Sequence, residues 1–209
     1  MSNMNAVGHF YKEGVVVEKN YTKAMQWYKQ ASNHGYSQAL YNQAALYATG
    51  SGVDKNTEKA LETIDILKKN NPKLFYSFLG ELYRIDKQVE TSVKYYKKAA
   101  ELGDPRSEFY YGFHLYTGKF CECDPKKGVK YIRSAARNGI GTANLAMARL
   151  YEQGADEAGV KQSDAQALKN YKIAARSGDK RAQLKLAEVY KEGLLGVKKN
   201  AKESFTWYL

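Results

Sequence analysis

The apolar positions of this chain recur at helical spacing, in two phases that alternate along its length. In the first phase a small residue, Ala24, Ala60, Ser92, Gly128 or Ala167, is followed three, four and seven residues later by a packing set. The sets are Trp27, Tyr28 and Ala31; Thr63, Ile64 and Leu67; Tyr95, Tyr96 and Ala99; Tyr131, Ile132 and Ala135; Asn170, Tyr171 and Ala174. Spacing of i, i+3, i+4, i+7 is one face of an α-helix. Eleven residues after each small one the frame reaches Gly35, Asn71, Gly103, Gly139 and Gly178, at intervals of 36, 32, 36 and 39 residues, and there each of these helices is expected to end.

The second phase fills the space between. Gly8, Ala44, Gly80, Gly112, Ala148 and Ala187 are all small; three residues later stand Tyr11, Tyr47, Tyr83, Leu115, Tyr151 and Tyr190, expected to be buried. Three further on come Gly14, Gly50, Asp86, Gly118, Gly154 and Gly193, the position of a helix C-cap. A small residue recurring at one helical position requires a neighbouring helix to approach closely. All three prolines follow a capping residue, at Asn71-Pro72, Asp104-Pro105 and Asp124-Pro125, which marks helix starts. Each period is therefore a helical hairpin whose two helices cannot bury their apolar faces alone, so the hairpins must stack. The third hairpin loop, in "RIDKQVETS", is short and lacks the glycine; the fifth, in "GADEAGVKQS", is three residues longer and is expected to project.

"KAMQWYKQASNHG" and "YNQAALYATGSGVDKN" followed by "KA" resemble the SEL-one-like repeat, a relative of the tetratricopeptide repeat, and the likeness covers essentially the whole chain. The resemblance implies an all-α fold, a right-handed superhelical solenoid of stacked hairpins. Residues 1–209 are read as a single array of about five to six hairpins. The terminal "KESFTWYL" repeats the Trp-Tyr pattern and stops inside it, which reads as a truncated array. Some relatives staple each hairpin with a disulfide; this chain has only Cys121 and Cys123, too close in sequence for an ordinary bridge.

Composition changes this picture little. The chain is 44% hydrophobic and 26% charged, has no low-complexity tract and contains no apolar run of membrane-spanning length; its first twenty residues carry no basic-then-apolar signal pattern, so a cytoplasmic location is the default expectation. No catalytic constellation stands out. His9, His34 and His114 lie in different periods, Cys-x-Cys at 121 and 123 lacks further ligands, and "GSGVDKN" lacks the ending of a phosphate loop and follows a helix. No cofactor or metal is called for. The net charge of +11 raises nucleic acid or an anionic membrane surface as partners, but the tyrosines are assigned to packing and the lysines of "KYYKKAAELG" and "KKGVKYIRSAARNG" to solvated helix faces.

What remains is a binding wall. The resemblance places the first helix of each hairpin on the concave side, where positions left over from packing vary from unit to unit: Lys12, Asn42, Tyr76, Glu81, Arg84, Tyr116, Arg149, Glu152, Glu188 and Lys191. Arg84, Arg149 and Lys191 would take acidic side chains or a peptide carboxylate, and Tyr76 and Tyr116 would offer flat contact area. The resulting expectation is a non-catalytic scaffold or adaptor that binds a protein or peptide partner. The alternatives are a recognition arm of a larger enzyme or membrane protein, and a basic surface for nucleic acid or anionic membrane.

Overall fold

A computed structural model describes residues 2–208, and every long element among them is an α-helix. The chain divides after Asp104 into two compact units. The first unit holds the hairpin α1 (Ser2–Glu13) with α2 (Tyr21–Asn33); α3 (Ser37–Thr49) with α4 (Thr57–Ile64) and its short continuation α5 (Leu67–Asn70); and α6 (Pro72–Ile85) with α7 (Val89–Glu101). The second holds α8 (Pro105–Thr117) with α9 (Pro125–Arg137), α10 (Gly141–Gln153) with α11 (Asp164–Arg176), and α12 (Lys180–Glu192) with α13 (Ala201–Tyr208). Leu209, on which "KESFTWYL" closes, lies outside the described residues.

The small positions are where paired helices meet. A methyl group added at Gly8 would lie 2.6 Å from the Tyr28 ring, and one at Gly80 would lie 2.5 Å from the Tyr96 ring, so the absent side chain is the space the aromatic fills. Between α8 and α9 both partners are glycine. A Cβ on Gly112 would stand 2.8 Å from the Gly128 carbonyl oxygen, and one on Gly128 would stand 2.6 Å from the Tyr116 amide nitrogen and 2.7 Å from the Gly112 carbonyl oxygen. Serine at this register adds a bond: Ser92 Oγ donates to the Gly80 carbonyl at 2.7 Å, and Ser204 Oγ to the Ala187 carbonyl at 2.8 Å.

Hairpin closure uses one bond in every period. The backbone N–H of Asn20, Asn56, Gln88, Asp124, Ser163 and Asn200 donates to the carbonyl of Tyr11, Tyr47, Tyr83, Leu115, Tyr151 and Tyr190, at 2.8–2.9 Å. Asn20, Asn56 and Asp124 also cap the second helix, each accepting from a first-turn amide. The bond persists although the segments it closes differ in length, from the short third loop to the long fifth one.

The structure departs from the sequence expectation at four places. The longer fifth loop does not project: it folds back through a bridge between Ala155 and Val160, and Ala158 and Val160 are buried against Val129, Ile132 and Leu150. Asn71, by contrast, is as expected both the end of α5 and the N-cap of α6 (φ −150°), accepting from the Leu74 amide. In the third hairpin Asp86 keeps φ −79° and the left-handed step passes to Lys87 (φ 60°), whereas Gly50 takes it directly (φ 71°). The helix read through Ala60 and Leu67 is interrupted at Asp65–Ile66, where i→i+3 bonds replace the α-helical ladder. Of the tyrosines expected in the core after each small position, Tyr47 is buried, while Tyr11, Tyr83, Tyr151 and Tyr190 are half-buried. Lys23, Lys59 and Lys172 sit 5.0–5.5 Å over the rings of Tyr11, Tyr47 and Tyr190, so the ring edges meet apolar helix while cations cover their faces.

Candidate partner-binding site

In the first unit most of the expected wall residues are already engaged. Lys12 is ion-paired to its neighbour Glu13 at 3.0 Å, and that bond holds the Glu13 carboxyl below the usual carboxylate range. Asn42 on α3 donates to the Asn5 side chain on α1 at 2.9 Å, tying successive first helices together. Glu81 accepts from Arg84 Nε at 2.8 Å within α6 and from the Tyr96 hydroxyl of α7 at 2.9 Å. Arg84 closes the fork with a second bond to the same carboxylate. Tyr76 stacks on Tyr95, which stacks in turn on Tyr83, with centroids 6.3 and 5.3 Å apart. Lys98 lies 5.2 Å over Tyr76, so this ring offers an edge rather than the free flat face expected of it.

In the second unit Tyr116 is half-buried and its backbone forms part of the close approach to Gly128. Lys191 is exposed and lies 3.7 Å from the carboxylate of its neighbour Glu192. Arg149, Glu152 and Glu188, by contrast, come together. They line a cleft of about 490 Å³ between α10 and α12, with Leu145, Gln153, Arg181, Leu184 and Lys185, and with Tyr171 of α11 at its back.

The electrostatics of the cleft are largely satisfied from within. Glu152 accepts from the Tyr171 hydroxyl and from Lys185 at 2.9 Å, while Lys185 reaches Glu188 at 3.4 Å. Burial pushes the Glu152 carboxyl up, but the bonds from Tyr171 and Lys185 and the Arg149 charge outweigh it and hold it below the usual range. Burial first, and the Glu152 carboxylate second, push the Tyr171 phenol well above its ordinary value. Arg181 is occupied by Asp179 at 2.8 Å. Arg149 remains: it is exposed and has no ion pair or hydrogen bond to the described residues. Beside it Leu184 is 57% exposed, an apolar surface at the mouth of a charged cleft.

Sequence reasoning placed Arg149, Glu152 and Glu188 on this wall and missed Lys185, Leu184 and Arg181. The signal for Lys185 was present, since it precedes Glu188 by one helical step and the pair defines a face of α12. Elsewhere no reactive grouping forms. His34 Nδ1 lies 2.8 Å from the Gln30 carbonyl at the end of α2, Cys121 and Cys123 are free thiols, and no cluster of three potential metal ligands exists among the described residues. None of the described helices is long and apolar enough to cross a membrane.

The sequence profile of the Sel1 repeat matches residues 4–36, 37–62, 74–104, 105–140, 141–179 and 180–209. The chain belongs to the Sel1 repeat family. Each match opens on or just inside a first helix and runs into its second, so the Sel1 unit is the hairpin seen in the structure. A crystal structure of a Sel1 repeat protein from Oxalobacter formigenes superposes with a TM-score of 0.72 at 28% identity, over 99% of this chain and 84% of that one. Mouse DAP3-binding cell death enhancer 1 is 27% identical over 161 residues, which is 73% of this chain and 30% of the mouse protein. The Arabidopsis thaliana protein HRD3B, an ERAD-associated E3 ubiquitin-protein ligase component, is 37% identical over 60 residues, 28% of this chain and 10% of that protein. This Sel1 chain thus spans less than a third of the length of these curated relatives. Sel1 repeat proteins are protein-interaction scaffolds and are generally non-catalytic.

Proposed function

We propose that this Sel1 chain is a non-catalytic adaptor that binds a protein or peptide partner along its first helices, with the α10–α12 cleft as the principal contact. The observation that carries the reading is Arg149, an exposed cation with no ion pair or hydrogen bond to the described residues, at the mouth of a cleft in which Glu152, Lys185 and Glu188 bond one another. A guanidinium so placed takes a carboxylate through two parallel hydrogen bonds, and the exposed Leu184 beside it takes an apolar side chain. The partner element is therefore a segment with an acidic and an apolar residue close together. Within the first unit Lys12, Asn42, Tyr76, Glu81 and Arg84 are held by internal contacts that cast them as the frame of its first helices, and Tyr116 and Lys191 stand on first helices of the second unit.

Affinity capture with the intact chain, followed by calorimetric titration of each captured protein, tests the assignment. Arg149→Glu should weaken binding of the true partner by about tenfold or more, on the scale of a lost charge-assisted pair. Arg84→Ala, which breaks a pair internal to α6, should change it by less than about threefold. Equal affinity of the wild-type and Arg149→Glu proteins for every captured partner would refute the site.

A further inference from the structure

The repeat frame allows the outward face of each second helix to be compared at matched positions. Two, five and nine residues after the small position stand the residues that point away from the packing face. In α9 these are Lys130, Arg133 and Arg137; in α11 they are Lys169, Lys172 and Arg176. The first unit does not share the pattern: the corresponding rows are interrupted by Gln26 and Asn33 in α2, by Glu62 and Asp65 at α4, and by Glu101 in α7. The chain's positive charge is segregated in the same sense, with 19 Lys and Arg against 11 Asp and Glu in residues 105–209 and 14 against 11 in residues 1–104.

Helix α9 contains no acidic residue, and none of the six cations has an acidic partner among the described residues. Lys130, Arg137, Lys169 and Arg176 are exposed; Arg133 is half-buried, and Lys172 lies 5.5 Å over the Tyr190 ring. Both helices pack against α10, so the two rows belong to neighbouring elements of one unit. Spacing of three to four residues sets successive charges about 5–6 Å apart along each helix. Such an array of like charge is costly to hold together and is relieved by a polyanionic partner. Ile173, 36% exposed, sits within the α11 row, between Lys172 and Arg176. An apolar side chain there serves no phosphate backbone, and the row carries no exposed aromatic ring on which a base would stack.

We propose that the outer face of α9 and α11 is a second docking surface, separate from the first-helix cleft, for an acidic protein segment that carries an apolar residue among its carboxylates. The probe is a fluorescein-labelled peptide repeating Glu-Leu-Glu-Asp, titrated by anisotropy with the full chain at low and physiological ionic strength. Reversal of the four exposed cations (Lys130→Glu, Arg137→Glu, Lys169→Glu, Arg176→Glu) should weaken binding by at least about tenfold, and Ile173→Ser should weaken it severalfold, with a steep salt dependence in the parent protein. A charge-matched reversal in the first unit, of Lys29, Lys69, Lys94 and Lys97, should leave affinity within about twofold of the parent. Equal loss in both reversed proteins would reduce the effect to net charge and overturn the proposal. So would tighter binding of the parent to duplex DNA or to phosphatidylserine vesicles than to the peptide, or an Ile173→Ser protein that binds as the parent does. The four positions are solvent-exposed, and a thermal melt matching the parent's is the check that each variant is folded.

Discussion

Replacing Gly128 by alanine tests the closest contact in the second unit. The added Cβ would sit 2.6 Å from the Tyr116 nitrogen, 2.7 Å from the Gly112 carbonyl oxygen and 3.0 Å from the Tyr116 Cα. All three are backbone atoms of α8, so no rotamer change relieves the clash. Ordinary van der Waals separation begins near 3.4 Å, and α9 must therefore withdraw from α8 by nearly an ångström along its length, loosening Tyr111, Leu115, Val129 and Ile132. Overpacking of this kind costs about 1–3 kcal/mol. With three backbone atoms in the way the cost lies in the upper half of that range, and after the about 1 kcal/mol that alanine returns in helix propensity a net destabilisation of about 1–2 kcal/mol is left. Urea unfolding followed by circular dichroism measures it, and the melting temperature should fall by about 2–8 °C for a chain of this size. Gly112→Ala, which meets Gly128 oxygen at 2.8 Å, should behave alike. A Gly128→Ala protein as stable as the parent, or more so, would mean that propensity decides and that the backbones do not touch.

Three tyrosines at one register make opposite predictions. Tyr96 and Tyr171 donate to Glu81 and Glu152, so Phe at either position should cost about 1–2 kcal/mol in urea unfolding. The Tyr28 hydroxyl is buried without a hydrogen-bond partner among the described residues, and burial, with a smaller contribution from Glu13, pushes its phenol up to about 12, so Tyr28→Phe should be neutral or stabilising by up to about 1 kcal/mol. Val16 holds φ 69° at 92% exposure in the first hairpin loop; Val16→Asn should raise stability by about 0.5–1 kcal/mol, and a lower melting point would count against that backbone geometry. Burial lowers the His114 pKa, so the unfolded chain binds the proton more readily; the stability this ring contributes is complete above its ordinary value near 6.5 and is lost as pH falls below it. His114→Phe should flatten that part of the stability profile between about pH 7.5 and pH 5, and an unchanged slope would show that other groups govern it.

Helical period, close-approach positions and hairpin order were legible because each rests on local physics repeated several times. A glycine at Gly50 or a proline after Asp124 signals the same backbone event wherever it occurs. Where one period lacked the signal, the next residue decided instead: with no glycine at Asp86, Lys87 took the left-handed step, while Asn71, next to Pro72, served as the cap that this pair signals. The fold-back of the fifth loop was not legible, since the burial of Ala158 and Val160 depends on α9 and not on their sequence neighbours. For the wall, the sequence indicates which residues are spare within a helix but not which find partners across helices. Arg84 and Tyr76 were spare by periodicity and are engaged by Glu81 and Tyr95; Arg149 was spare by the same reasoning and remains so.

The amide-to-carbonyl bond that closes all six hairpins separates two jobs within the chain. In the first hairpin helix docking is settled at the two ends of this bond, Tyr11 and Asn20, independently of the exposed residues between them. The first intervening segment, with Val15 and Val16 exposed, is then an insertion cassette where an engineer can graft a foreign epitope without retuning the helical frame, whereas the fifth, with Ala158 and Val160 in the core, belongs to that frame.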